Sequence, residues 1–393
     1  MTAPTAAPDR SLPATPDAGF WRGRRTFLTG HTGFKGGWLA LVLERLGAEV
    51  HGYALAPVEG SLVHALARTA SSTLGDVRDA RALADAMARV QPEVVLHLAA
   101  QPLVRLAYRE PVATVEANVI GTMNLLEAVR RTPSVRAVVV VTTDKVYRNR
   151  EWEWGYREDE PLGGHDPYSA SKACTELVAA AWRDSFLAAG AEDGRDVRVA
   201  TARAGNVIGG GDVAADRLVP DVLREIAAGR PVTLRNPAAT RPWQHVLEPL
   251  EGYLALAERL AGEGGERFAR AWNFGPADDD ALPVGELVDR LRSLWPGGGE
   301  VRHEGAGHAH EAGLLKLDSA LARARLGWRP VWRLDDALAD IVAWELGRLD
   351  GRDPRELSLG SIEARAAARA GGAASPARTG AAPEHPRRET PHR

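Results

Sequence analysis

Thr29-Gly30-His31-Thr32-Gly33-Phe34-Lys35-Gly36 is the stretch whose reading decides the fold. An apolar strand-like run, Arg25 to Thr29, leads into it. A helical pattern, Phe34 to Leu46, leads out, with Trp38, Leu39, Val42 and Leu46 on one stripe. Glycines in such a loop permit a tight turn and close backbone approach. The helix start then offers free N–H groups and a positive dipole end to a pyrophosphate. Glycine spacing alone is a weak signal; the strand before it and the amphipathic helix after it give it weight. Lys35 and His31 are expected to add positive character near the phosphates.

Outward from the loop, strand-like runs alternate with helical ones. Glu49–Tyr53, Val94–Leu98, Ala137–Thr142 and Val197–Ala202 read as strands, and Asp79–Val90, Pro111–Arg131 and Pro167–Ala188 as helices. The alternation predicts an α/β fold with a Rossmann-type doubly wound parallel sheet over residues 21–205. After about Gly205 the pattern breaks into short elements and Gly/Pro-rich loops. This predicts a smaller mixed α/β C-terminal substrate lobe over residues 206–350, with returns to the Rossmann domain, set over the carboxyl ends of the strands. Residues 1–20 are turn formers without periodicity. The tail, 351–393, has almost no large apolar side chains from about Ala364 on. Both ends are expected to be disordered, because they cannot bury enough surface to offset their ordering entropy.

The 393 residues are 45% hydrophobic, enough for a sizeable core, and the net charge of −3 gives no global case for a nucleic-acid or membrane partner. The single cysteine, Cys174, excludes an intrachain disulfide and suits a reducing compartment. No apolar run reaches the roughly 18 to 20 residues needed to span a bilayer. Met1 to Phe20 lacks the pattern of a signal peptide. A cytoplasmic protein is expected. His303, His308 and His310 invite a metal reading, but their Gly-rich surroundings and the lack of a paired acid cluster argue against one, and no metal is expected.

After the second strand, NAD enzymes usually carry an acid for the adenosine ribose. Gly52-Tyr53-Ala54-Leu55-Ala56 holds neither that acid nor an Arg for a 2′-phosphate, so this position does not reveal the cofactor. Asp76 reads either as a contact on the adenine side or as a turn residue. Tyr168-Ser-Ala-Ser-Lys172 opens a helix, and its spacing puts Tyr168 and Lys172 on one face, a turn apart. A tyrosine at its usual pKa of about 10 is a poor base at neutral pH. A nearby ammonium is expected to lower it.

GHTGFKG (Gly30–Gly36), HLAAQPLVR (His97–Arg105), TTDKVY (Thr142–Tyr147), YSASK (Tyr168–Lys172), GNVIGGGD (Gly205–Asp212), RPWQHV (Arg241–Val246) and HEAGLLKLD (His310–Asp318) carry a resemblance over roughly Arg24 to Leu349. The chain resembles the extended short-chain dehydrogenase/reductase family and, within it, the nucleotide-sugar 4,6-dehydratases that act on CDP-glucose. The resemblance implies an NAD cofactor held by Gly30, His31, Thr32, Gly33, Phe34, Lys35, Gly36, Asp76, Val77, Leu98, Ala99, Ala100, Tyr168 and Lys172. It implies substrate contacts from Gln101, Asn206, Arg217, Arg241 and Trp243. Asn206 and the two arginines would meet the diphosphate; Trp243 would pack near the base or ribose, or simply in the core. Tyr168 would be the base at the C4 hydroxyl, with Thr143 hydrogen-bonded beside it. Asp144 would be the acid toward the C6 oxygen. Lys145 would be the base at C5, or an electrostatic stabiliser of the enolate, and both are expected to face the cleft. A 4-epimerase needs no acid–base couple at Asp144-Lys145, and a binding-only relative needs no intact Tyr168 and Lys172. Pairing of the two long helices across a two-fold would make a homodimer.

Overall fold

Val139 and Val141 point into one hydrophobic layer and Val138 and Val140 into the opposite one, so a single strand is buried on both faces. Such a strand needs helices on either side. In the computed structural model, residues 16–188, 196–214, 216–234, 236–303 and 313–372 are described. The strands are β1 (Arg25–Thr29), β2 (Glu49–Ala54), β3 (Ser71–Leu74), β4 (Val94–His97), β5 (Ala137–Val141), β6 (Arg198–Ala204), β7 (Asn206–Ile208), β8 (Val232–Leu234), β9 (Thr240–His245), β10 (Ala271–Phe274), β11 (Ala281–Pro283) and β12 (Val301–His303). Seven of them form one sheet, in the order β10-β6-β5-β4-β1-β2-β3. All its pairings are parallel. The order reverses between β1 and β4, which is where open α/β sheets leave a crevice for ligands.

One face is covered by helices Phe34–Arg45 and Leu247–Ala261, whose Trp38, Leu41, Leu250 and Leu254 pack on Leu28, Leu96 and Val139. The other face is covered by helix Ala80–Val90 and the two long helices, through Leu83, Met87, Leu125, Val129 and Ala179. Both long helices contain a π-turn. The first runs Pro111–Val115, Glu116–Ile120 (π) and Gly121–Arg130; the second runs Pro167–Trp182 and then Arg183–Leu187 (π).

Two sheet strands have no counterpart in the sequence reading. β3 is a mostly exposed edge and lacks the apolar alternation that marks a strand. β10 comes from beyond residue 206, yet pairs with β6. The remaining strands build the smaller lobe as β11-β9-β7 and β12-β8. Its core holds Trp243, Leu287, Leu291, Leu338 and Ile341.

The expected disorder of the tail needs correction. A helix, Pro354–Gly372, occupies the first part of 351–393. Leu357 enters the main core, and Trp344 Nε1 donates to Ser358 Oγ at 3.0 Å. Arg365 is only 1% exposed and forks onto both oxygens of Glu248 at 2.7 Å. Composition hid this, because the ion pairs of Arg355, Arg365 and Arg369 share with Leu357 the anchoring that large apolar side chains do elsewhere. The N-terminal expectation is corrected likewise at its end. Asp17 caps a one-turn helix, Ala18–Trp21, and the buried Trp21 donates to Glu258 at 2.6 Å. His308 and His310 lie outside the described residues. Among the described residues no helix is long and apolar enough to cross a membrane, and no cluster of His, Cys, Asp and Glu could hold a metal.

Candidate active site

A cleft of about 1790 Å³ opens at the carboxyl ends of the central strands. The phosphate loop forms one wall, with Leu98, Ala99, Ala100, Asp76 and Val77; Asn206, Arg217 and Arg241 stand on the other. Gly30 has φ +77°, and a Cβ there would meet the Ala99 nitrogen at 2.8 Å. A Cβ on Gly36 would lie 2.0 Å from the Gly30 oxygen, so the turn closes only without one. Gly33 is the N-cap of the following helix and contributes no side-chain cap. The first-turn N–H groups are therefore open toward the cleft, and the loop fits a pyrophosphate. Thr29 braces it from below. Its Oγ1 accepts from Leu98 N and Ala99 N at 3.1 and 3.2 Å and contacts His97 Nδ1 at 2.7 Å.

His31 departs from expectation. Its ring is buried under Gly52 and bonds Ser72 Oγ at 2.7 Å, pinning the loop to the neighbouring strands. Burial pushes its pKa down, so the expected positive character is absent there. Asp76 is clamped by Arg78 at 2.6 Å, and Val77 packs against Gly121. Thr32 Oγ1 donates to the Leu55 carbonyl, and Phe34 lines the cleft. Lys35 reaches past the phosphate loop into a group of cations. Its amine is pushed down to about 7, first by burial, then by Arg217, Lys172 and Lys145.

Asp166 caps the catalytic helix, accepting from Ser169 N at 3.0 Å, and Pro167 follows as its first residue. Tyr168 is 8% exposed and Lys172 6%. Lys172 Nζ donates to the Val141 carbonyl at 3.0 Å, and burial pushes it down to about 8. Burial pushes Tyr168 up to about 12, opposed by its hydrogen bond with Thr143. The expected lowering of Tyr168 by its lysine is thus not present: the amine is turned toward β5.

Asp144 also departs from expectation. It is fully buried behind Gly205, whereas Thr143 and Lys145 line the open cleft. Asp144 Oδ1 accepts from Thr143 Oγ1 at 2.9 Å and meets Lys145 Nζ at 3.5 Å. Its Oδ2 is buried with no hydrogen-bond partner among the described residues.

On the substrate wall, Asn206 lies on β7 beside Trp243 of β9. Arg217 is paired with Asp212 at 2.8 Å, and Arg241 donates to the Thr240 carbonyl at 3.0 Å. Trp243 sits mainly in the lobe's core, its Nε1 on the Leu282 carbonyl. Gln101 spends its amide inward: Oε1 accepts from Leu103 N, and Nε2 donates to the Leu103 carbonyl and to Thr114 Oγ1. Its expected substrate contact is not prepared.

The sequence reading missed a wall formed by Arg148, Asn149, Arg150 and Glu151. Asn149 Nδ2 donates to the Leu314 carbonyl at 3.0 Å, and Glu151 Oε1 accepts from Gly313 N at 2.5 Å. It also missed an ion pair, Arg105 to Asp216 at 2.9 Å, between two cleft-lining residues from opposite walls. Nothing local announces either. Lys35, already expected at the loop, had a further signal for its place among the cleft's cations. The chain's only lysines are Lys35, Lys145, Lys172 and Lys316, and the first three line the cleft.

Comparison with known proteins agrees with this geometry. Residues 26–273 match the NAD dependent epimerase/dehydratase family. A CDP-glucose 4,6-dehydratase of Salmonella typhimurium is 51% identical over 340 residues, covering 86% of this chain and 94% of its own length. A dTDP-glucose 4,6-dehydratase of Streptomyces griseus is 33% identical over 64% of this chain and 70% of its own. Among solved structures, a dTDP-glucose 4,6-dehydratase from Streptomyces venezuelae with NAD bound superposes with a TM-score of 0.69 at 26% identity, over 84% of this chain and 99% of that one. The chain belongs to the NAD dependent epimerase/dehydratase family.

Proposed function

We propose that this chain is a CDP-glucose 4,6-dehydratase, a hydro-lyase that converts CDP-glucose to CDP-4-dehydro-6-deoxyglucose and water with NAD as cofactor. The observation that carries the reading is the Thr143-Asp144-Lys145 turn set beside Tyr168 in a cleft with an open phosphate loop. The relative with 51% identity supports the choice of nucleotide.

Gly30 to Gly36, with Leu98 to Ala100, would hold the cofactor through backbone N–H groups and close approach. When bound, NAD supplies a hydride acceptor for C4 and a hydride donor for C6. Tyr168 takes the C4 hydroxyl proton, and Thr143 orients its phenolic oxygen. Oxidation at C4 acidifies the C5 proton, which Lys145 removes. Asp144 protonates the departing C6 hydroxyl, which requires its Oδ2, buried behind Gly205 and without a hydrogen-bond partner among the described residues, to turn into the cleft. Lys145 then returns a proton to C5, so that with the hydride NAD would supply at C6 the net change is loss of one water. Arg217 and Arg241 suit the diphosphate, since Arg presents a forked donor to phosphate oxygens. The Asp144-Lys145 couple favours elimination over 4-epimerisation, which needs no such couple.

We further infer a homodimer built on the long helices, where Val112, Val115, Ile120, Leu177 and Phe186 are exposed apolar side chains. A cytoplasmic location accords with the single exposed cysteine, Cys174.

The test is a panel of CDP-, UDP-, dTDP- and GDP-glucose, scored by mass for loss of water and by the 4-keto product. Turnover of CDP-glucose above the others is expected. Turnover confined to another nucleotide sinks the substrate assignment, and epimer without loss of water sinks the reaction.

A further inference from the structure

Glu176 is a buried carboxylate that the chemistry above does not use. Its Oε1 accepts from Thr142 Oγ1 at 2.5 Å and Arg203 Nε at 3.0 Å. Its Oε2 accepts from Thr201 Oγ1 at 2.5 Å and Arg203 Nη2 at 2.9 Å. Tyr168, Lys172 and Glu176 follow one another at four-residue steps, so they share one face of the helix. Opposite that face lie three consecutive residues at the end of β5. The Val141 carbonyl accepts from Lys172, the Thr142 hydroxyl donates to Glu176, and the Thr143 hydroxyl, whose proton goes to Asp144, is hydrogen-bonded with Tyr168. Each strand residue thus holds one helix residue, and Glu176 is the member of the stripe with no chemical task.

We propose that Glu176 is a positioning residue: by holding Thr142 against the catalytic helix it keeps the Val141 carbonyl under the Lys172 amine and the Thr143 hydroxyl on Tyr168. This rests on the reading of Tyr168 and Lys172 as the pair that works at C4. Arg203 makes the burial of the carboxylate tolerable, and its other end donates to Tyr147 and to the Glu158 carbonyl. A buried carboxylate with four donors is rigid, which is what a register clamp requires. The Glu176 charge also opposes the burial that pushes Lys172 down, and so favours the ammonium.

Two threonines separate positioning from mere stability. Thr142 and Thr201 are both buried, and each gives Glu176 one hydroxyl at 2.5 Å. Only Thr142 adjoins the residues that hold Lys172 and Tyr168. Thr142→Val and Thr201→Val therefore cost similar stability if Glu176 only braces the fold. If it positions the pair, Thr142→Val lowers kcat on CDP-glucose by about tenfold or more with KM little changed, because small misplacements of catalytic groups cost rate. Thr201→Val then stays within about twofold of the parent.

A second readout needs no turnover. With 13C-lysine the chain gives only four lysine signals, and that of Lys172 is assigned by its loss in Lys172→Met. In Thr142→Val its titration moves to lower pH, as the ammonium loses its carbonyl; in Thr201→Val it does not. Equal kcat and equal Lys172 titration in the two variants overturn the proposal. If the parent does not turn over CDP-glucose, the functional reading fails, and the lysine titration alone still decides the role of Glu176.

Discussion

The phosphate loop and the substrate wall face each other across one cleft, but they are held in opposite ways. The Gly30 to Gly36 turn closes within a few residues, because a Cβ on Gly36 would strike the Gly30 carbonyl, and it is then seated by backbone contact of Gly30 with Leu98 and Ala99. The substrate wall is assembled from pieces far apart in the chain: 148–151 against 313–314, and Arg105 against Asp216. The turn of the first region is local to β1 and its helix, and only its seating on β4 and on the strands bearing Gly52 and Ser72 is long-range. The second exists only after the whole lobe has docked. Damage to the loop should therefore act on one ligand, and damage where the regions join should act on the reaction.

The largest effect is expected at the join. Tyr168→Phe removes the hydroxyl that Thr143 orients and leaves the ring in place. It should lower kcat by roughly a thousandfold, within the usual span for a positioned base, while affinities for NAD and CDP stay near those of the parent. Asp144→Asn should instead let hydride uptake proceed and stall before water is lost. Transient cofactor absorbance in a single turnover, with product followed by mass, separates the two. Undiminished dehydration by Asp144→Asn removes Asp144 from its role as the acid.

Gly36→Ala should come next. The added carbon meets the Gly30 backbone oxygen, which cannot swing aside as a side chain can. Affinity for NAD should fall by about a hundredfold, or 2.7 kcal/mol, by equilibrium titration, with affinity for CDP nearly retained. Loss of both affinities together would mean that the two walls are not independent, and would break the comparison.

The same contrast explains what the sequence made legible. The Val-rich run at Val138 to Val141, the glycines of the loop and the four-residue step from Tyr168 to Lys172 are all local patterns, and each predicts its structure. The placement of Asp144 behind Gly205 is not local, nor is the bond of the Gln101 amide to Thr114 on the next helix. The turn of Lys172 toward the Val141 carbonyl depends on strand–helix register, which spacing along one helix does not contain. The helix at Pro354–Gly372 was missed for a related reason. Arg365 reads as a solvated charge until Glu248 and Glu251 are brought to it.

Arg365→Met sharpens that point. It keeps most of the side-chain volume but leaves Glu248 buried with only its two backbone donors, Val331 and Trp332. Breaking one side of a buried ion pair should cost about 3 kcal/mol in denaturant unfolding, while kcat at moderate temperature is nearly unchanged. A cost below about 1 kcal/mol would mean that Leu357, Ser358 and the Arg355–Glu44 and Arg369–Glu251 pairs dock the helix without help from Arg365.

The smallest effect expected is a pH dependence of ligand-free stability that originates at the join of the two walls. Lys172 is held near 8 and Lys35 near 7, against an ordinary value of 10.5. Between those values and 10.5, the unfolded chain keeps protons that the folded chain has released. Stability therefore rises with pH across this window. Tyr168, raised from 10.0 to about 12, works the other way, because above 10 the folded chain holds a proton that the unfolded chain has lost. Thermal unfolding of the ligand-free protein should shift upward from pH 7 toward 10 and downward beyond it. Lys172→Met should flatten the climb from about 8, and Lys35→Met from about 7. A parent and a Lys172→Met variant with parallel curves would mean that the amine is as well solvated as one at the surface, and that the cleft does not gather its cations as tightly as the packing of Lys35, Lys145, Lys172 and Arg217 implies.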